Sequence, residues 1–117
     1  MSTEYLTAEL RGKSFALPLN NVISVVTDAA VAAVPFAPPG VCGIIFYGGR
    51  ALPLFDTFSE ILQAGCRAEK LCIIYVKDDR WAAYTADSAN GVITLTDGEA
   101  EELKKNGGTS ETDLLFL

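Results

Sequence analysis

Histidine is missing from this chain altogether, which removes the side chain that most often serves as general base and as metal ligand. Cysteine is scarce. Cys42, Cys66 and Cys72 form no C-x-x-C pair, and an odd count closes no disulfide framework, so neither a zinc site nor a disulfide scaffold is expected. Basic residues are few as well: 9 Lys and Arg stand against 15 Asp and Glu, a formal net charge of −6, and no basic cluster is denser than Lys104-Lys105. A nucleic-acid partner is excluded on that balance, because phosphate binding needs a basic surface. The stretch between Asp28 and Arg50 is uncharged and long enough on paper to cross a bilayer. Pro35, Pro38, Pro39, Gly40, Gly43, Gly48 and Gly49 would break any helix there, leaving backbone groups open in lipid. Membrane insertion is therefore not expected. Met1 to Tyr5 shows no basic region followed by an apolar core, so no secretory leader is read and a cytosolic location is expected.

What is present is a small, apolar chain: 117 residues, 50% hydrophobic and 21% charged, the composition of one folded domain rather than a disordered segment. Tyr5, Leu6, Ala8 and Leu10 open a strand that ends at Arg11-Gly12-Lys13, a hairpin turn. Phe15, Leu17 and Leu19 alternate with Ser14, Ala16 and Pro18, the period of a strand with one buried face, with Pro18 at an edge or at the strand's end. Asn20-Asn21 punctuates before the β-branched run Val22 to Thr27. Asp28 to Pro39 reads as a long extended connection of the kind that often carries function. Gly40 to Phe46, the turn Tyr47-Gly48-Gly49 and Arg50 to Phe55 make a second hairpin.

Thr57 and Glu60 have the spacing of a capping box, opening a short helix that Gly65 ends. Leu71 to Val76 should be a strand buried on both faces, turning at Asp78-Asp79 into Arg80 to Asp87. Ser88 to Gly91 reads as a further turn, followed by a strand over Val92 to Leu95. Thr96 and Glu99 repeat the capping signal and open a polar helix through Lys105, which Asn106-Gly107-Gly108 stops. Leu114 to Leu117 is an apolar tail suited to a last strand. Short strands, tight turns and two short helices describe a small, mostly β, barrel-like protein.

Chemistry is harder to find. Asp56, Asp78, Asp79 and Asp87 lie near strand ends, where carboxylates cap helices and build turns. Gly48-Gly49 lacks the spacing of a phosphate cradle, and Ser24, Ser59 and Ser88 have no G-x-S-x-G context. Cys42 and Cys72 sit in apolar runs and read as small buried hydrophobes. No enzyme is expected. Val34, Phe36, Phe46, Tyr47, Trp81 and Tyr84 are instead candidates for a docking surface, since aromatic groups are enriched at binding hot spots.

At Val34-Pro35-Phe36-Ala37-Pro38-Pro39-Gly40-Val41-Cys42-Gly43-Ile44-Ile45, and on through Gly49, Pro53, Leu54, Phe55 and Asp56, the chain resembles the CheW-like domain family of bacterial chemotaxis coupling proteins. That family's pattern runs P-x-x-P, a spacer, then G-V-I-N-L-R-G-x-x-x-P-V-x-D-L. Arg80 to Leu95 is similar to its V-V-D-x-V-x-x-V-x-x-L stretch, with Asp87 on the aspartate and Val92 on the final valine. The likeness runs from about Glu4 to Leu95, with a weaker match at Asp113 to Leu117. Gly48 stands on the family's arginine, Phe46 on its asparagine and Ser24 on a common glutamate; Arg50, two positions beyond Gly48, is expected to keep the same strand face.

The resemblance implies a CheW-like fold spanning residues 1–117 as a single domain. It would hold two small SH3-like five-stranded β-barrel subdomains sharing one core, with short helices and a shortened carboxyl end. Pro35, Pro38, Gly43, Gly49, Pro53, Asp56 and Asp87 would define the fold. Gly43 and Gly49 would permit close backbone crossings, and Pro53 would occupy a strand edge. In function it implies a cytoplasmic, non-enzymatic adaptor with no cofactor, recruited to receptor arrays at the inner membrane. Its partners would be a chemoreceptor's cytoplasmic tip and the regulatory domain of a chemotaxis histidine kinase. By analogy Val22, Ser24, Val34, Phe36, Phe46, Tyr47 and Arg50 would form the contact surface. The alternative is a degenerate module of the same fold that self-associates or binds another partner.

Overall fold

The computed structural model describes residues 1–27, 30–32, 41–55, 71–105 and 114–117. The chain divides into two compact units, one built from Met1–Val22 with Asp87–Leu117 and the other from Ile23–Ala86.

The first unit is a four-stranded antiparallel sheet in the order β8-β1-β2-β9. Strands β1 (Ser2–Leu10) and β2 (Lys13–Pro18) form the expected hairpin, closed by the pair Leu10 and Lys13. Its two turn residues, Arg11 and Gly12, both have positive φ, 51° and 79°, the pattern whose twist matches that of the flanking strands. Pro18 ends β2, and a single 3-10 turn at Leu19–Asn21 follows. Phe15, Ala16, Leu17 and Pro18 are all buried, which corrects the expectation of one buried face. The small Ala16 is the reason on one side: it packs into a cluster with Tyr5, Ala100 and Leu115.

Strand β8 (Ser88–Thr96) is longer than the sequence suggested. Ser88 to Gly91 is not a turn but the start of this strand, with Ala89 opposite Ala8 and Gly91 opposite Thr7, so that Asn90 is an extra residue. Turn-forming residues are used here for a β-bulge, with Gly91 at φ 125° supplying a conformation that side chains avoid. Helix α1 (Asp97–Lys105) begins at the predicted capping box. The Thr96 amide donates to Glu99 Oε1 at 3.0 Å, and the Glu99 amide donates to Thr96 Oγ1 at 3.2 Å. Ala100 and Leu103, three apart on one helix face, pack on the Tyr5 cluster. The tail forms β9 (Leu115–Phe116) beside β2, as its apolar run required.

The second unit is a five-stranded sheet in the order β3-β6-β7-β5-β4. It contains β3 (Val22–Thr27), β4 (Val41–Tyr47), β5 (Arg50–Phe55), β6 (Leu71–Lys77) and β7 (Arg80–Ala86). The β4–β5 and β6–β7 hairpins turn at Gly48-Gly49 and Asp78-Asp79, again with positive φ at every turn position. Strands β5 and β7 pair in parallel through Leu54 with Ala83 and Phe55 with Tyr84. The core of this unit is Ile45, Leu52, Leu54, Cys72, Ile74 and Ala83, with Val26, Val31, Tyr47 and Trp81 packed against it. Cys72 to Tyr75 is buried without a break, the two-sided burial expected of β6. Among the described residues, then, one sheet has five strands and the other four. The capping box at Thr57 and Glu60, its helix, Cys66, and the fold positions Pro35, Pro38 and Asp56 lie outside the described residues.

Candidate interaction surface

Strands β5 and β7 are parallel neighbours, so both start at the same end of their sheet. Arg50, the first residue of β5, reaches over the ring of Trp81, the second residue of β7, with its guanidinium carbon 4.5 Å from the ring centroid. An arginine so placed is attracted by the electron-rich ring face, and its stem is held in one orientation. Tyr47 is Arg50's cross-strand partner and shares its face; it is half-buried against the core. This end of the unit therefore gathers an arginine, a tryptophan and a tyrosine.

Phe46 points the other way. Ile45 and Tyr47 face the core, so strand alternation turns Phe46 outward, where 71% of it is exposed. On β3 the same rule separates the expected contacts from the accessible ones. Val22 and Ser24 are half-buried on the side of Val26, which packs into the core, while Ile23 and Val25 face out at 43% and 38% exposure. The five expected contacts that fall among the described residues thus do not share one face. Val34 and Phe36 lie outside the described residues. Tyr84 is no docking residue: it is 7% exposed, stacked on Phe55 at 5.7 Å and edge-on to Tyr75 at 5.9 Å. Ile23 and Val25 are not singled out by the sequence, because a β-branched run with no polar alternation gives no sign of which face is exposed.

Gly48 occupies a turn, at φ 56°, so Arg50 does not continue its strand face but lies across the hairpin. Gly49 likewise differs from the expected backbone crossing. Nothing lies within 4 Å of where its Cβ would be, and what it supplies is φ 80°. Gly43 is crowded: a Cβ there would sit 2.6 Å from the Ala32 carbonyl oxygen and 2.6 Å from Val31 Cγ1. Ala32 lies beside β4 in an antiparallel bridge, exchanging backbone hydrogen bonds of 2.8 and 2.9 Å with Ile44. Pro53 is on an inner strand rather than an edge, but the β5–β7 ladder starts only at Leu54, so its missing N–H breaks no pairing there.

Among the carboxylates near strand ends, Asp87 has a structural role. Asp87 Oδ2 accepts the Arg11 amide at 2.9 Å, and the Asp87 amide donates to the Glu9 carbonyl at 2.7 Å, which holds the strained β1–β2 turn against the start of β8. Asp78 and Asp79 are turn residues. Burial pushes the Cys72 thiol above the ordinary range, so it stays protonated. Among the described residues no group of three or more His, Cys, Asp or Glu could hold a metal ion, and no helix is long and apolar enough to cross a membrane.

Two sheets and one described helix, with Phe46 exposed on β4 and Arg50 over Trp81 at one end of the second sheet, make this a mostly β class of protein. More narrowly, residues 4–113 match the model of the CheW-like domain, and the chain belongs to that family. Among solved structures it is similar to the scaffolding protein TtCheW from Thermoanaerobacter tengcongensis, with 23% identity and a TM-score of 0.69 over 84% of this chain and 68% of that one. Comparison with curated protein sequences gives no significant match.

Proposed function

We propose that this chain is a non-enzymatic adaptor of bacterial chemotaxis. It holds the cytoplasmic tip of a chemoreceptor and the regulatory domain of a histidine kinase in one complex, in the cytoplasm beneath the receptor array. The observation that carries the reading is the family match, which runs through both compact units from residue 4 to 113. That continuity also supports treating residues 1–117 as one CheW-like domain. An adaptor of this kind does no chemistry. It biases the kinase by the difference between its contacts in the two signalling states.

Within the proposed contact set, Phe46 and Arg50 are the exposed anchors among the described residues, Tyr47 is half-buried against the core beside Arg50, and Val22 and Ser24 are half-buried on β3 at the other end of the strand order. Val34 and Phe36 complete the set. Arg50→Ala is expected to weaken binding to the kinase regulatory domain or the receptor tip by about 1–3 kcal/mol, the worth of a desolvated charged contact. Its effect on stability should be smaller, about 0.5–1 kcal/mol for the exposed cation–π contact with Trp81. Phe46→Ala should weaken the same binding and leave the melting temperature unchanged, since the ring is largely in solvent. Calorimetric titration and thermal melts on both variants check this. Unchanged affinities in both would remove these residues from the interface.

A further inference from the structure

The contact of Arg50 with Trp81 uses the face of the guanidinium and leaves its N–H groups, which lie in the plane and point to the rim. Among the described residues no carboxylate or carbonyl takes them, although Arg50 is exposed at the start of β5. The indole N–H of Trp81 and the hydroxyl of Tyr47 likewise make no hydrogen bond there. Three side chains that can donate are thus grouped at one end of the second sheet, and the protein offers none of them an acceptor of its own. Charge at this end is inverted relative to the chain. Lys77 closes β6 and Arg80 opens β7 beside Trp81. With Arg50 they face only the two acids of the connecting turn, Asp78 and Asp79, neither of which pairs with Arg50. That leaves +1 (3 − 2) among these residues on a chain of net charge −6.

We propose that this end of the sheet is a clamp for a single carboxylate. Arg50 takes an aspartate or glutamate side chain of the protein partner through two parallel N–H groups, and Trp81 is the positioning residue that holds the guanidinium for it. The inference rests on the adaptor reading, since it names what the kinase domain or receptor tip presents to this chain. The donor set selects an anion, and the planar fork of the guanidinium matches a planar carboxylate. Overall charge selects a lone acidic side chain over a polyanion: a nucleic acid or a phosphate-rich surface needs many cations at once, and here Asp78, Asp79 and the net −6 oppose it. The cation–π contact fixes the arginine before the partner arrives, which lowers the ordering cost of binding.

Calorimetric titration of the full chain against the regulatory domain of the chemotaxis kinase and against the receptor tip, over a salt series, tests this. Arg50→Gln should weaken binding to one of them about tenfold or more and flatten its salt dependence. Arg50→Lys keeps the charge but not the fork, and should recover only part of the loss. Trp81→Leu should weaken binding about two- to fivefold when Arg50 is present and have no further effect combined with Arg50→Gln, because it acts through the arginine. Trp81→Phe, which keeps an aromatic face, should bind close to wild type. Trp81 also packs on the core, so Arg50→Lys carries the test should Trp81→Leu fail to fold. Wild-type affinity in Arg50→Gln or in Arg50→Lys would overturn the clamp while leaving the adaptor reading intact. A Trp81→Leu loss that persists alongside Arg50→Gln would overturn the positioning role. A wild type that binds neither partner would overturn the adaptor reading and this inference with it.

Discussion

At the residue scale the sharpest constraint is Gly43, where two atoms stand 2.6 Å from a hypothetical Cβ and one of them is the Ala32 carbonyl oxygen. Backbone cannot swing aside as a side chain can. Gly43→Ala is therefore expected to cost about 1–3 kcal/mol by overpacking. Adding Val31→Ala should recover only part of the loss, because it clears the Val31 methyl and leaves the carbonyl. Denaturant unfolding of the single and double variants measures both; a neutral Gly43→Ala would show that this close approach relaxes freely. The sequence pointed to Gly43 through the spacing of glycine, proline and aspartate, but not to what it meets. That neighbour comes from a segment eleven residues earlier, and such a pairing leaves no local trace. Gly49 shows the converse. The same motif suggested crowding, whereas the turn at Gly48-Gly49 needs only positive φ.

At the scale of elements, local chemistry was most legible where it closes on itself within a few residues. The three hairpin turns and the Thr96–Glu99 capping box depend on neighbours in the chain, and all four form as read. The bulge in β8 was misread because Asn-Gly announces an irregular backbone without saying whether the chain reverses; the partner strand β1, far away in sequence, decides that. The capping box also predicts a pH dependence. Hydrogen bonds from the Thr96 backbone amide, and then from its hydroxyl, favour the ionised carboxylate and hold Glu99 below the usual glutamate range. A carboxyl with a depressed folded-state pKa stabilises above its unfolded value, and that contribution is lost as pH falls through the folded value. The difference in melting temperature between wild type and Glu99→Gln should thus be largest near neutrality and vanish in acid. A pH-independent difference would contradict the ionic share of the cap. Thr96→Ala, which removes the hydroxyl, should cost about 1 kcal/mol at neutral pH.

At the scale of the whole molecule, fold class was legible because strand periodicity and turn composition recur along most of the chain, and a family pattern overlies them. Burial was less so: β2 and β7 each present four consecutive buried residues, so both faces of those strands are covered where alternation alone suggests one. The contact surface was the least legible part. Strand parity separates Phe46 from Tyr47 and Arg50, and Ile23 from Val22 and Ser24, a division visible only once the core-facing side of each strand is known. The adaptor reading makes one claim on the molecule as a whole, that it binds two different partners at once. The direct measurement is sedimentation of the chain with the isolated regulatory domain of a chemotaxis kinase and a soluble chemoreceptor tip from the same organism. The account predicts a ternary species that contains all three and is absent when this chain is omitted. No complex with either partner at micromolar concentrations would contradict it.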